Sequence, residues 1–324
     1  MSYRKVGKNM ARTETLEKNF ISAIVYLNSA ETKLELSEFL EGILQNLKNH
    51  FLHFELICVD DVSPAEYLDC VKKCKDMYEQ TSITILHMNQ YQGMETAMNA
   101  GRDLAIGDFV IEFDECCYNF KDDVIQKVYA ECLKDYDIVC CADKNKNKKA
   151  SKAFYSLFNR FSGMDNKLQS DNFRIISRRG INRIQSLNRS IPYRKALYAN
   201  CGLKMKVMEY EPIKKSSYHY DRKAQKNRRA LAIDSLLLFT DVGYHIAVWM
   251  AGLMAAVMVL SAVYALVIYL SGIAIVGWTT TVLFLSFAFG GLFIILSIII
   301  KYLALLLNLT FKRQRYLFDS IEKL

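Results

Sequence analysis

The feature that most constrains this 324-residue chain is a long uncharged stretch near its C-terminus. Val242–Ile300 contains no Asp, Glu, Lys or Arg. A hydrocarbon layer about 30 Å thick needs about 20 apolar residues for each helical crossing, so this stretch is long enough for two. The segment Leu270–Thr280, with two glycines and a tryptophan, predicts a turn between spans at Tyr244–Leu270 and Val282–Asn308. The sequence therefore predicts a two-helix transmembrane hairpin.

Basic residues lie on both sides of this stretch. DRKAQKNRR (Asp221–Arg229) precedes it and FKRQRY (Phe311–Tyr316) follows it, while the turn between the spans has no charge. Because positively charged loops stay on the cytoplasmic side, the N-terminal region and both termini are predicted to be cytoplasmic, with the chain integral to the cell membrane. These clusters account for most of the net charge of +8, and they suit anionic lipid head groups. Nucleic acid is therefore not predicted as a partner.

The N-terminal two thirds of the chain has the pattern of an α/β domain. Short runs rich in Ile, Val and Phe alternate with segments of helical period, such as residues 34–51. This alternation predicts βαβ units and a mostly parallel sheet covered by helices on both faces. The predicted strands are Ile21–Leu27, Phe54–Asp60, Ser82–Met88, Asp108–Asp114, Tyr136–Ala142 and Leu203–Tyr210, with a further strand running into a helix within Asn172–Ile184.

These patterns divide the chain into five segments. The α/β domain occupies residues 19–220 after an N-terminal tail, 1–18, which lacks the apolar core of a secretory signal. An amphipathic juxtamembrane helix at 221–242 leads into the two transmembrane helices at 243–308. Residues 309–324 are predicted to be a cytoplasmic tail.

The chain has nine cysteines, and none of them has the spacing of a zinc site. An odd number of cysteines in a domain predicted to be cytosolic favours reduced thiols. We therefore expect structural thiols and no disulfide framework.

Acidic residues follow two of the predicted strands. Asp60 and Asp61 end one strand and Asp114 ends another, while Asn89–Gly93 follows a third. In an open parallel sheet, ligands bind beyond the carboxyl ends of the strands. Carboxylates there can bind a base or a ribose, or a hard cation that bridges phosphates. The alternative for the Asp60–Asp61 pair is a structural role as a cap of the helix beginning near Pro64.

Four segments together resemble a known family. FELICVDDVSPAEY, NQYQGMETAMNAGRDLAIGDFVIEFDECC, DNFRIISRRGINRI and YDRKAQKNRRALAIDSLLLFTDVGYHI have the order and spacing of family 2 glycosyltransferases with a GT-A, Rossmann-like fold. More narrowly, they resemble the polyprenyl-phosphate glycosyltransferases of the dolichyl-phosphate mannose synthase type. The resemblance implies a GT-A domain followed by a membrane hairpin. It covers most of the chain.

The resemblance also implies roles for individual residues. It implies that a nucleotide sugar is bound by Asp60, Asp61, Gly93, Asn99 and Asp114, and that Gly101 lies where the backbone approaches a ligand or a strand. Asp114 matches the first acid of the metal-binding Asp-x-Asp motif, which implies Mg²⁺ or Mn²⁺. The implied lipid-phosphate ligands are Arg174, Arg178, Arg222 and Lys226. The implied catalytic residues are Asp114, Arg174 and Arg222.

The sequence departs from the family pattern at the metal site. Cys116 replaces the second acid, Tyr118 replaces a glutamine, and RKAQKN lacks the glycine and serine of the phosphate-binding loop. Because hard cations prefer oxygen ligands, we expect a weakened site that Cys116→Asp would strengthen. Three arrangements stay open: Asp114 alone with the diphosphate oxygens, Glu115 turned into the site, or basic residues instead of a metal. Because side chains alternate along a strand, Glu115 would point to the side opposite Asp114 and Cys116, which favours the first arrangement, Asp114 with the diphosphate oxygens.

The implied activity is transfer of one sugar from a nucleotide sugar to a polyprenyl phosphate, with inversion, at the cytoplasmic membrane face, in cell-envelope polysaccharide assembly. The departures motivate an alternative, a catalytically degenerate membrane scaffold or partner subunit in a glycan-assembly complex. A third option is an enzyme of the same fold with a diacylglycerol or a lipid-linked oligosaccharide as acceptor. The oligomeric state stays open: Gly290 and Gly291 would allow close helix packing, but adjacent glycines lack the small-x-x-x-small spacing that indicates a homo-oligomer.

Overall fold

A computed structural model describes residues 16–27, 33–78, 81–145, 149–162, 166–187, 193–213, 230–236, 240–271, 277–311 and 316–324. Its centre is an eight-stranded sheet. The strands are β1 (Ile21–Tyr26), β2 (Phe54–Asp60), β3 (Ser82–Met88), β4 (Phe109–Phe113), β5 (Ile138–Asp143), β6 (Phe173–Ser177), β7 (Met205–Tyr210) and β8 (Phe318–Lys323). Their order across the sheet is β7-β5-β6-β4-β1-β2-β3-β8. The predicted α/β fold with a mostly parallel sheet is confirmed.

Helices cover both faces of the sheet. They are α1 (Lys33–His50), α2 (Ala65–Met77), α3 (Met94–Leu104), α4 (Asp123–Cys132), α5 (Lys149–Phe161), α6 (Arg178–Ser186), α7 (Arg194–Ala199), α8 (Val242–Leu270) and α9 (Trp278–Phe311), with residues 230–236 also helical. Because side chains alternate along a strand, Val25 of β1 joins the core under α1 and Ile24 joins the core under α3. The helical face predicted within residues 34–51 is buried throughout.

Two strands run against the parallel core. β6 is antiparallel to β4 and to β5, and β8 is antiparallel to β3. The pairs β1–β2, β1–β4, β2–β3 and β5–β7 are parallel. The carboxyl ends of β1, β2 and β4 therefore meet at one edge of the sheet.

The C-terminal segment contains a strand that the sequence did not indicate. Residues 318–323 form β8, the edge strand beside β3, and the amide of Leu324 donates to the carbonyl of Ile83 at 3.0 Å. The predicted tail at 309–324 therefore includes an ordered strand, which was missed because β8 is mostly exposed. An edge strand without a buried face has no hydrophobic alternation that a sequence could show.

The uncharged stretch forms two helices that contact each other, α8 with 29 residues and α9 with 34. Gly291 of α9 leaves no room for a Cβ beside the side chain of Met254 in α8, so this glycine permits close packing within the pair. Among the described residues, no helix combines the length and the apolar character that a membrane crossing requires. The transmembrane hairpin therefore stays a prediction.

The cysteines form no disulfide bond among the described residues, and eight of the nine are buried. Burial raises the pKa of Cys132 to about 12, so this thiol stays protonated at neutral pH. The cysteines therefore act as small apolar side chains of the core.

Candidate functional site

The acidic residues predicted to converge do lie at one edge of the sheet. β1 stands between β2 and β4, and all three strands are parallel. Asp60 and Asp61 close β2 and Asp114 follows β4, two strand spacings or about 10 Å away. Tyr26, the last residue of β1, lies between them and donates its hydroxyl to Asp61 Oδ2 at 3.0 Å.

Asp61 is fully buried and holds the loop after β3. Its Oδ1 accepts from the amide of Gln92 at 2.7 Å, and its Oδ2 accepts from the amide of Gly93 at 2.8 Å. Burial raises the pKa of Asp61, while these amide hydrogen bonds and that from Tyr26 lower it in part. Gly93 has φ of 86°, a conformation that glycine adopts readily, and it precedes α3 directly. Asp61 therefore fixes the entry to α3.

Asp60 stabilises the turn at residues 61–63 and does not cap α2. Its Oδ1 accepts from the amide of Ser63 at 2.7 Å, and its Oδ2 lies 2.7 Å from His87 Nδ1. α2 begins after Pro64 without a side-chain capping hydrogen bond, and the hydroxyl of Ser63 has no partner among the described residues. The capping alternative for Asp60 and Asp61 is thus not supported.

Asp60 and Asp61 are each linked to the C-terminal segment through one residue. His87 connects Asp60 to β8, and Gln92 connects Asp61 to Leu317, the residue before β8. The side chain of Gln92 donates to the carbonyl of Leu317 and accepts from its amide at 3.0 Å. His87 Nε2 lies 3.4 Å from Glu322 Oε2. The C-terminal strand therefore supports the loops that carry Asp60 and Asp61.

Helix α3 carries Asn99, which was implied for the nucleotide sugar, and Gly101, which was implied for a close approach of the backbone. Asn99 is partly exposed, and its buried Oδ1 has no hydrogen-bond partner among the described residues, so this oxygen can still accept from a ligand. Gly101 faces the sheet, where a Cβ would approach methyl carbons of Ile24 and Val59 to 2.7 Å. The expected close approach at Gly101 is therefore to the neighbouring strands.

Asp114 has a different environment. Its Oδ2 accepts from Arg174 Nη2, its Oδ1 accepts from Arg194 Nη2 at 2.9 Å, and Lys195 Nζ lies 3.6 Å from Oδ2. Burial alone would raise the pKa of Asp114, but these three cations outweigh it and hold the pKa well below its usual range. Asp114 is therefore an ionised carboxylate enclosed by basic side chains.

Arg174 lies fully buried at the centre of this cluster. Its Nε donates to Asp171 at 2.8 Å and its Nη1 donates to Glu112 at 2.8 Å, in addition to the bond with Asp114. All three nitrogens of the guanidinium are thus bound to carboxylates. The implied role as a lipid-phosphate ligand does not agree with this arrangement, because no donor nitrogen of Arg174 faces solvent.

Arg178 lies at the opposite edge of the sheet. β6 is antiparallel to β4, with Phe173 opposite Phe113 and Ser177 opposite Phe109. Arg178 therefore emerges at the amino end of β4, where its side chain donates to the carbonyls of Ala105 and Gly107. The structure does not bring it together with Arg174. Arg222 and Lys226 lie outside the described residues.

The residues around Asp114 do not fit the expected Mg²⁺ or Mn²⁺. Cys116 is fully buried and its thiol contacts the carbonyl of Tyr26 at 3.4 Å. The hydroxyl of Tyr118 donates to Asp122 at 2.8 Å. Within the described part of the chain, no group of three or more His, Cys, Asp or Glu side chains could hold a metal ion. In the arrangement favoured from the sequence, Asp114 and the diphosphate oxygens alone hold the metal. That arrangement requires available Asp114 oxygens, but both accept hydrogen bonds from arginines.

Several members of the cluster were not identified from the sequence. Glu112 gave a signal, because it is a charge inside an apolar strand, and in the structure it pairs in register with Arg174, which the resemblance had implied as a lipid-phosphate ligand. Arg194 and Lys195 gave none, since the sequence RKALYA has the composition of a solvated basic helix. The remaining members are Glu95, Arg102, Asp171 and Tyr198.

Comparison with known proteins places this geometry in context. The sequence profile described as Glycosyl transferase family 2 matches residues 24–188. An uncharacterized glycosyltransferase of Synechocystis sp. is 26% identical over 199 residues, which are 59% of this chain and 60% of that protein. The undecaprenyl-phosphate 4-deoxy-4-formamido-L-arabinose transferase of Proteus mirabilis is 27% identical over 155 residues, 46% of each chain. The chain thus spans about half the length of these curated relatives.

Among solved structures, a mannosyltransferase from Pyrobaculum calidifontis in complex with GDP-mannose and Mn²⁺ superposes with a TM-score of 0.43. The sequence identity is 13%, and the superposition covers 92% of this chain and 89% of the other.

Proposed function

This chain belongs to the glycosyl transferase family 2, and on that premise we propose that it moves one sugar from a nucleotide sugar to a polyprenyl phosphate with inversion. The observation that carries the proposal is the placement of Asp60, Asp61 and Asp114, all within the matched residues, at one sheet edge. Ligands of open parallel sheets bind beyond such an edge. The proposed donor region is the part around Asp60, Asp61 and Asn99, whose buried Oδ1 has no hydrogen-bond partner among the described residues.

A polyprenyl phosphate is a suitable acceptor on chemical grounds. Its phosphate is already an oxyanion near neutral pH, so the protein needs no strong general base and has to position the reactants and stabilise charge. The relative from Proteus mirabilis acts on undecaprenyl phosphate, which supports this acceptor class. Arg222 and Lys226 remain the proposed lipid-phosphate ligands, since they precede the first apolar helix in the sequence. Arg174 and Arg178 are not part of this proposal.

We further propose that α8 and α9 anchor the domain at the cytoplasmic face of the cell membrane, with both termini in the cytoplasm. Support comes from the absence of charged residues between Val242 and Ile300 and from exposed apolar side chains such as Trp249, Leu260 and Leu270. The return of the chain to the sheet as β8 also supports an arrangement with both ends of the helix pair on one side. Carbonate washing should leave the protein in the membrane pellet, and release into the supernatant would contradict the anchor.

The activity can be tested with the purified full chain in detergent. A panel of nucleotide sugars is incubated with polyprenyl phosphate, with diacylglycerol or with a lipid-linked oligosaccharide, and lipid-linked sugar is measured. We expect product with polyprenyl phosphate and one donor. Product with another lipid would keep the transferase and change the acceptor. Arg179→Met, which alters an exposed arginine, is the control variant and should retain activity.

One observation favours a second candidate function. Asp114, which matches the first acid of the family's metal motif, is enclosed by arginines, and Cys116 at the second position lies in the core. A chain with such a site would suit a non-catalytic partner in a glycan-assembly complex. Absence of turnover together with absence of nucleotide binding across the panel would favour this partner role over transfer.

A further inference from the structure

The two oxygens of Asp114 accept from two different arginines, Arg174 at Oδ2 and Arg194 at Oδ1. We propose that Asp114 anchors this buried arginine pair and binds no divalent cation. The position where the family's metal motif begins has thus become part of an internal ion network. The proposal goes beyond the proposed activity, because it concerns how the chain balances charge beside the donor region.

Charge balance gives the first argument. The cluster contains five carboxylates and four cations, so its formal charge is −1; they are Glu95, Asp103, Glu112, Asp114 and Asp171 with Arg102, Arg174, Arg194 and Lys195. Adding a divalent cation would leave an uncompensated positive charge in a buried region, or would displace an arginine from its carboxylate. Either change is costly, because a buried charge without a partner keeps its full desolvation penalty.

Arg174 and Arg194 are also held in place by carboxylates other than Asp114. Arg194 donates through its amide and its Nε to Glu95 of α3, each at 2.9 Å, and through Nη1 to Glu112 of β4 at 2.7 Å. Arg174 is held by Asp171 and the same Glu112 oxygen. Neither guanidinium can turn away from Asp114 without breaking several charge-assisted hydrogen bonds, which are the strong class.

The other two positions of the family's metal site, Cys116 and Tyr118, also offer no ligand to a cation at Asp114. The thiol of Cys116 contacts the carbonyl of Tyr26 and lies in the core beneath the sheet edge. Tyr118 packs its ring against Gly42 of α1 and donates its hydroxyl to Asp122. These two positions therefore contribute to the core and to α1.

Lys195 is the member of the cluster that reaches solvent. Its side chain is 13% exposed, whereas those of Arg102, Arg174 and Arg194 are at most 3% exposed. It lies 3.6 Å from Asp114 Oδ2 and lines a small pocket together with Lys167. In a step that rests on the proposed function, the Lys195 ammonium supplies positive charge to the diphosphate leaving group where a metal would otherwise do so.

The first experiment measures stability without metal. Asp114→Asn and wild type are melted in excess EDTA, and we expect the Tm of the variant to fall by roughly 6 to 20 °C because buried arginines lose their acceptor. A metal ligand would behave in the opposite way, since removing an uncompensated carboxylate from metal-free protein leaves Tm unchanged or raises it. That result would overturn the proposal. Asp123→Asn, an exposed carboxylate paired with Lys127, is the matched control and should shift Tm by about 1 °C or less.

The second experiment needs no stable variant at Asp114. Mn²⁺ is titrated into the wild-type full chain, alone and with GDP or UDP, and the electron paramagnetic resonance signal of free Mn²⁺ is recorded. We expect no stoichiometric binding of Mn²⁺ alone at tens of micromolar. We expect Cys116→Asp to bind no more and to melt lower, because it buries a carboxylate in the core. Stoichiometric binding of Mn²⁺ alone by the wild type would overturn the proposal.

The third experiment concerns Lys195. GDP and UDP binding in EDTA is measured by calorimetry for wild type, Lys195→Met and Lys195→Arg. We expect Lys195→Met to weaken binding about tenfold and Lys195→Arg to restore most of it, as charge requires. Equal nucleotide affinities of the three proteins would contradict a role of Lys195 in binding the diphosphate. If wild type binds no nucleotide, the proposed function fails while the melting and Mn²⁺ results still decide the role of Asp114.

Discussion

Asp61 and Asp114 are the same residue type at the same sheet edge, about two strand spacings apart, yet their surroundings are opposite. Asp61 accepts from two backbone amides and a tyrosine hydroxyl. Asp114 accepts from two guanidiniums. Burial raises the pKa of Asp61, and the cations lower the pKa of Asp114.

The difference shows that a motif position does not determine what an acid does. Asp61 shapes the loop that leads into α3, the helix that carries Asn99, whose buried Oδ1 has no hydrogen-bond partner among the described residues. Asp114 already has its counter-ions inside the protein. The proposed donor region is therefore centred on the Asp61 side, while the Asp114 side is a buried ion cluster from which Lys195 reaches solvent.

The largest expected effect tests whether the Asp114 side is structural. Arg194→Met removes the partner of three carboxylates, Glu95, Glu112 and Asp114, and should lower the free energy of unfolding by about 3–5 kcal/mol. Arg179→Met, which removes an exposed arginine paired with Asp135 and Asp137, is the matched control and should change it far less. Urea denaturation measures both, and similar values for the two variants would break the comparison.

A smaller effect is expected on the Asp61 side when residues 317–324 are deleted. Gln92 then loses its two hydrogen bonds to Leu317, and the loop that carries Gly93 should open more easily by about 2 kcal/mol. Hydrogen exchange of the Gln92 and Gly93 amides should rise roughly 30-fold. The amide of Asp114, bound to the carbonyl of Asn172, should exchange as before. Equal acceleration at both places would mean that the two sides are one cooperative unit.

Asp61→Asn should have a more modest effect than the same change at Asp114. The amide still accepts from one backbone amide but turns its NH₂ group toward the other donors, at a cost of about 1–2 kcal/mol in unfolding free energy. Binding of GDP or UDP should weaken at the same time, since the loop loses its position. Calorimetry and urea denaturation on one sample check both, and a loss of stability as large as at Asp114 would contradict the contrast.

The smallest expected effect is on acid sensitivity. The pKa of Asp114 is lowered in the folded state, so its contribution is present above the unfolded value of about 3.9 and is lost as the pH falls below it. The pKa of Asp61 is raised, so its contribution is present below the unfolded value and is lost as the pH rises through the folded one. Between pH 5 and 2, Asp114→Asn should flatten the stability curve and Asp61→Asn should steepen it. Parallel curves would contradict these shifts.

Most of the sheet could be predicted because its strands are buried on both faces. β1, β2, β3 and β4 lie within a residue of their predicted bounds, and their apolar runs are long enough to identify. β8 could not be found, since its exposed side chains follow no pattern. Its pairing depends on the free edge of β3, which lies more than 200 residues earlier in the chain.

The site was predictable where it depended on strand ends and unpredictable where it depended on distant partners. The parallel order of β2, β1 and β4 brings Asp61 and Asp114 to one edge. Arg174 and Arg178 are four residues apart in sequence, but an extended strand separates them by about 13 Å. Arg194 meets Glu95 and Asp114 across 99 and 80 residues, a distance over which sequence periodicity carries no information.

The strand β8 also determines when this site can be finished during synthesis. Gln92 and His87 obtain their partners at Leu317 and Glu322 only after residues 317–322 have been made. By then both apolar helices have already been made. The order of synthesis thus places α8 and α9 before completion of the loop that carries Gly93, so a nascent chain stalled before residue 317 would present a sheet with an unpaired β3 edge.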